Sequence, residues 1–231
     1  MTARRRQKSP DPQRFILENT RVVPVRSLPE IRIHSAHEAT GLWRLSAAAD
    51  KGADPPPPYW AFPWAGGMAL ARYILDRPET VRGRRVLDLG AGSGIVAIAS
   101  ALSGASTVTA SDTDRYAIAA LGLNAAANGV VITVIGDDLT AGPAYLVDLV
   151  TVGDLFYERE LAEGVAAFLG RCRAAGIDVL VGDPGRTYLP RARLNFLAEY
   201  SVPDVGEVEG PAMKPSAVFS FETADPEEEI R

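Results

Sequence analysis

The sequence predicts an α/β fold, a parallel sheet buried between helices on both faces, with a small N-terminal β/α appendage. Three observations carry this expectation. From about residue 65 onward, short apolar runs alternate with segments of helical length. The apolar runs are nearly continuous, as in strands covered on both sides. The first of them leads directly into a glycine-rich turn that opens a helix.

Taken in order, residues 1–14 start basic (Arg4-Arg5-Arg6) and proline-dotted, which predicts a flexible tail. Residues 15–58 form the expected appendage. Within it, 20–25 and 31–34 read as two short strands, an antiparallel pair in which Pro24 argues for an edge position. A weak helical pattern covers 42–49, and Asp54-Pro55-Pro56-Pro57-Pro58 is a stiff, extended seam. The main domain is expected over 59–222. Its helices are read at 65–76, 95–103, 115–127, 159–175 and 191–200, the third stopped by Asn128-Gly129. Its strands are read at 85–89, 107–111, 130–135, 149–152 and 177–181, with β-like runs at 202–208 and 216–221. Residues 223–231 are an acidic, solvated tail.

Composition narrows the function classes. Twenty-four basic against 29 acidic residues give a net charge of −5, a poor balance for gripping phosphate backbones, so no nucleic-acid partner is expected. Cys172 is alone, which excludes a disulfide framework and a thiolate zinc cage and suits a reducing compartment. No run reaches the roughly 20 apolar residues of a membrane span, and no signal-length apolar run follows the basic start. The expectation is a soluble, cytoplasmic monomer. His34 and His37 lack a third ligand nearby and are read as surface residues, with no metal site.

The most informative stretch is Val86-Leu87-Asp88-Leu89-Gly90-Ala91-Gly92-Ser93-Gly94, a nucleotide-binding turn by its context. Its spacing is Gly-x-Gly-x-Gly, and Asp88 stands two residues before the first glycine. A carboxylate there would repel a pyrophosphate on the helix N-terminus, which argues against a dinucleotide oxidoreductase. S-adenosylmethionine carries an ammonium and a sulfonium and no phosphate, so the stretch is similar to the first motif of the Rossmann-like class I methyltransferases. Asp112 ends the next strand, 22 residues after Gly90, where a carboxylate accepts ribose hydroxyls. Asp138, with Asp137 as the alternative, follows the third strand and suits the adenine amino group. Any one of these acids could simply cap a helix; placement at three successive strand ends favours a cofactor site.

On the acceptor side, the fourth strand ends Gly153-Asp154-Leu155-Phe156-Tyr157-Glu158. An acid followed by an aromatic suits a cationic, flexible acceptor such as lysine. Asp154 is expected to capture and orient the amine and Tyr157 to wall the channel, with Glu158 and Asp183 adding negative potential. Upstream, Trp64 is expected against the methionine end of the cofactor, and Trp60 facing the acceptor through a cation–π contact.

With these residues in hand, the chain resembles the electron-transfer-flavoprotein β-subunit lysine methyltransferases, members of the seven-stranded protein-lysine methyltransferases. The resemblance rests on Pro58-Tyr59-Trp60-Ala61-Phe62-Pro63-Trp64-Ala65-Gly66-Gly67, on 86–94, on 154–157 and on Gly182-Asp183-Pro184-Gly185-Arg186. It spans about 20–222; Ala65, where relatives commonly carry proline, is a departure. It implies a seven-stranded, mostly parallel sheet of order 3-2-1-4-5-7-6 with the last strand antiparallel, and S-adenosyl-L-methionine as methyl donor. It also implies transfer to lysines of the electron transfer flavoprotein β subunit. Carried over, Trp64, Asp88, Gly90, Gly92, Gly94, Asp112 and Asp138 belong to the cofactor site, and Asp154 with Tyr157 to the acceptor channel. A ribosomal-protein or small-molecule (nicotinamide-like) methyltransferase, and a non-catalytic cofactor-binding or scaffold module, remain the competing readings.

Overall fold

The computed structural model describes residues 11–36, 58–203 and 212–222. The basic start, His37, the weak helix at 42–49, prolines 55–57, residues 204–208 and the acidic tail lie outside the described residues.

The appendage comprises α1 (Pro12–Asn19) and an antiparallel hairpin, β1 (Thr20–Val25) and β2 (Leu28–Ala36). Pro24 sits in this two-stranded ribbon, where register shifts at Pro24/Val25. The helix opens inside the stretch expected to be tail. Pro12 presets its first turn, and Phe15 and Ile16 are buried on its inner face. His34, expected at the surface, is buried: its N–H donates to Asn124 Oδ1 at 2.7 Å.

The main domain runs α2 (Ala65–Asp76), β3 (Arg85–Leu89), α3 (Ile95–Leu102), β4 (Thr107–Ser111), α4 (Arg115–Ala127), β5 (Thr133–Ile135), β6 (Leu149–Gly153), α5 (Arg159–Ala174), β7 (Asp178–Asp183), β8 (Leu194–Pro203) and β9 (Met213–Phe221). The sheet order is β5-β4-β3-β6-β7-β9-β8. Counted within this sheet, that is the expected 3-2-1-4-5-7-6, and β9 alone runs antiparallel to both neighbours. Alternation along β3 feeds two cores. Val86 meets α2, α3 and the hairpin on one face, while Leu87 and Leu89 meet α5 on the other.

One element differs in kind from its expectation. Residues 191–200 were expected as a helix; a single turn, Arg191–Arg193, gives way to β8, which pairs with β9 from Leu194↔Phe221 to Pro203↔Met213. Leu194, Leu197 and Ala198 have helical spacing, but a bulge between Phe196 and Ala198 breaks the two-residue alternation that marks a strand. The non-local pairing with β9 decides the conformation.

Candidate active site

All parallel strands point their C-terminal ends to one rim of the sheet, and a cavity of about 730 Å³ opens there, over the switch point between β3 and β6. The turn after β3 forms its floor. Gly92 has φ +53°, and a Cβ built on it would meet nothing within 4 Å, so its bare Cα faces open space within the cavity lining. Gly90 lines the cavity as well; Gly94 does not, and serves as the left-handed cap of α3, packed against Leu121.

Asp88 lies beneath this turn and outside the cavity lining. Its Oδ2 accepts from Ala97 N–H at 3.0 Å in the first turn of α3, and its Oδ1 pairs with Thr151 Oγ at 2.9 Å. Burial pushes its carboxyl up to about 7, against those two bonds. The acid, carried over from the resemblance as a cofactor-site residue, thus braces the loop from behind.

Asp112, at the end of β4, lines the cavity. Its Oδ2 accepts the Gly92 N–H and its Oδ1 the Asp114 N–H, both at 2.9 Å, which leaves acceptor capacity on each oxygen. Asp137 and Asp138 both line the same end, and Asp138 Oδ1 takes the Thr140 N–H and hydroxyl at 2.8 and 2.7 Å. Over this end, Trp60 stacks on Tyr116 at 6.2 Å and Phe15 meets Tyr116 edge-on at 5.3 Å. Trp60 was expected to face the acceptor. It is buried instead, because the short turn Tyr59–Ala61 presses it onto α4. Phe15 and Tyr116, lining residues that sequence reasoning missed, carry no local motif; only the fold brings them here.

The opposite end is built around Asp154. This residue has φ +62°, a left-handed backbone uncommon outside glycine, and it is buried. Its Oδ2 accepts the Gly67 N–H at 2.9 Å in the first turn of α2, a favourable place for a carboxylate. Its Oδ1 accepts both Nε and Nη2 of Arg186, at 2.9 and 2.6 Å. Burial raises the Asp154 carboxyl, while Arg186 and the backbone donors oppose the rise. Gly66 and Gly182 explain how α2 comes so close. A Cβ on Gly66 would collide with the Gly182 carbonyl and lie 2.6 Å from Asp154 Oδ2. Tyr59, Trp64 and Tyr157 wall this end: Tyr59 lies 5.6 Å from each of the other two rings, and Trp64 Nε1 donates to the Tyr59 carbonyl at 2.8 Å.

Trp64, Gly90, Gly92, Asp112, Asp138, Asp154 and Tyr157 therefore share one cavity. Glu158 is exposed before α5 and outside the lining. Asp183 is buried behind it, its Oδ1 accepting the Gly185 and Arg186 N–H groups at 2.7 Å. Among the described residues no cluster could hold a metal.

Known proteins resemble this chain over most of its length. The electron transfer flavoprotein beta subunit lysine methyltransferase of Danio rerio is 38% identical over 218 residues, 91% of this chain and 83% of that protein. The Xenopus laevis protein of the same name is 39% identical over 217 residues, covering 91% of this chain and 87% of its own. The chain belongs to the electron transfer flavoprotein beta subunit lysine methyltransferase family. Residues 69–150 also match the family described as ribosomal protein L11 methyltransferase (PrmA). That match ends before Asp154 and so covers the glycine turn and Asp112 but not the acceptor end. Among solved structures, the RNA methyltransferase candidate PH1948 from Pyrococcus horikoshii superposes with a TM-score of 0.57 at 17% identity, over 79% of this chain and 98% of its own. At that identity the likeness concerns the fold, a class I methyltransferase sheet, which this family member shares.

Proposed function

We propose that this protein is an S-adenosylmethionine-dependent protein-lysine N-methyltransferase acting on the electron transfer flavoprotein β subunit. The observation that carries the reading is the joining, in one cavity, of a glycine turn at Gly90 and Gly92 to the aromatic, Asp154-centred end, within a chain of this family. The residues present fit the donor. The space over Gly92 admits close backbone approach, the spare acceptor capacity of Asp112 suits ribose hydroxyls, and Asp137 or Asp138 suits an adenine amino group. S-adenosylmethionine supplies a methyl carbon held on a positively charged sulfur.

The chain's own residues then supply position. Phe15, Trp60 and Tyr116 roof the nucleoside end and exclude water from it. At the other end Tyr59, Trp64 and Tyr157 form a narrow aromatic passage that lines an amine up with the reacting carbon, and such alignment supplies much of the acceleration. A lysine of pKa ~10.4 is neutral only about once in 2,500 molecules at pH 7, so the passage must take up a deprotonated amine. The amine proton leaves to solvent before transfer, and the nitrogen lone pair forms the new bond as the carbon–sulfur bond breaks.

The test is to incubate the purified protein with isotope-labelled S-adenosylmethionine and purified electron transfer flavoprotein, then map the label by peptide mass spectrometry. Label on lysines of the β subunit is the expected result. An unlabelled flavoprotein beside a labelled ribosomal protein or nicotinamide would overturn the substrate.

A further inference from the structure

We propose that Arg186 is a specificity residue of the acceptor passage, a fixed guanidinium that admits the target lysine only as its neutral amine. The inference rests on the lysine-methylation reading above and gives a role to a residue that entered the sequence reading only as the end of the Gly182–Arg186 run.

Side-chain and main-chain contacts together hold Arg186 in place. Both Nε and Nη2 bind the single oxygen Oδ1 of Asp154. The main-chain N–H of Arg186 donates to Asp183 Oδ1 at 2.7 Å, which holds the turn after β7. The guanidinium carbon lies 5.8 Å from the Trp64 ring centre and 5.9 Å from that of Tyr157, so the side chain sits within the aromatic wall. Arg186 lines the cavity with 26% of its side chain exposed, against 7% for Asp154, and its Nη1 has no hydrogen bond among the described residues. Asp154 is thus screened: two Arg186 bonds occupy Oδ1, and the Gly67 N–H occupies Oδ2. Of the pair, the guanidinium is the more exposed member in the cavity lining.

The other charged and titratable groups around this end do not reverse that sign. Asp183, from β7, is buried with Oδ2 unpartnered, and burial pushes its carboxyl up, away from the charged form. Burial likewise raises the Tyr157 phenol, which stays neutral. Tyr59 contributes a further phenol ring; Glu158, exposed outside the lining, and Asp112, at the nucleoside end, both help raise the Tyr157 phenol, but neither pairs with Arg186. Among the described residues the lining holds no histidine to act as a base. A fixed like charge disfavours an ammonium and lowers an amine's pKa, so the passage selects the deprotonated lysine without removing its proton itself. Asp154 then becomes a positioning residue for Arg186, where the sequence reading had it grip the amine.

The experiment measures kcat at saturating flavoprotein, which reports the bound amine, against pH for the wild type and for Arg186→Gln, Arg186→Lys and Asp154→Asn, each checked for folding by circular dichroism. Arg186→Gln is expected to move the rise of the profile to higher pH by about one unit or more. Arg186→Lys, which keeps the charge, is expected near the wild-type midpoint, and Asp154→Asn below it. An Arg186→Gln midpoint equal to the wild type, whatever the loss in rate, overturns the proposal. Should that variant fail to fold, an Asp154→Asn midpoint at or above the wild type overturns it equally. A wild-type protein that leaves the flavoprotein unmethylated refutes the functional reading itself, whereas an active wild type with unmoved midpoints refutes only the role of Arg186.

Discussion

Asp88 illustrates how much a single residue's position reveals and how much it hides. That an acid two residues before Gly90 belongs to the turn was legible from the spacing. That it points at α3 was not, because its partners, Ala97 N–H and Thr151, lie nine residues on and on another strand. Its folded pKa of about 7 lies above the ordinary carboxylate value of about 3.9, so the folded state binds the extra proton. Stability on this account falls as pH rises from about 4 to about 7, since the unfolded chain has already lost that proton. Asp88→Asn keeps an acceptor for the Ala97 N–H and can meet the Thr151 hydroxyl with its amide, the hydroxyl then donating to the Leu87 carbonyl, while removing the ionisation. Thermal melts at pH 5 and pH 8 are expected to show the variant gaining on the wild type at the higher pH, by on the order of 1 kcal/mol. Arg186 is the opposite case: its number in a Gly-Asp-Pro-Gly-Arg run was visible, but nothing local indicates that its side chain reaches Asp154, 32 residues earlier.

Elements with a strong local pattern were readable, and those decided by distant pairing were not. Helix α4 follows from its alanine run and the Asn128-Gly129 stop, and strands β3, β4 and β6 from short apolar runs that end up buried in the sheet. Strand β8 leaves Phe196 and Leu197 exposed, Phe196 at 63%, and its pairing with β9 makes it a strand. The same non-locality ties the appendage to the turn after β3. Asn124 on α4 accepts the His34 N–H from β2 and donates to the Ser93 carbonyl, both at 2.7 Å, in a fully buried position. Asn124→Ala would leave a buried N–H and a buried carbonyl without partners, a loss of about 2–4 kcal/mol. Urea unfolding is expected to register that loss, and calorimetry a weaker grip on S-adenosylhomocysteine as the turn loosens.

At the scale of the whole molecule, strand order and site location follow one from the other. The order 3-2-1-4-5-7-6 reverses direction between β3 and β6, and the cavity opens at that reversal. Alternating strands and helices alone predict a covered parallel sheet; the order came from the resemblance, and the assembled sheet agrees with it. The roof could not be foreseen, because Phe15, Trp60 and Tyr116 come from three separate elements that meet only once the appendage packs on α4. The central claim is that this cavity holds a phosphate-free, sulfur-linked nucleoside. Isothermal titration calorimetry of the wild type and Asp112→Ala with S-adenosylhomocysteine and with NAD tests it most directly. The account predicts one S-adenosylhomocysteine bound per chain, at least about tenfold weaker in Asp112→Ala, where two hydrogen bonds to the ribose are lost, and no heat with NAD. Saturable binding of NAD, or S-adenosylhomocysteine binding untouched by the substitution, would contradict it.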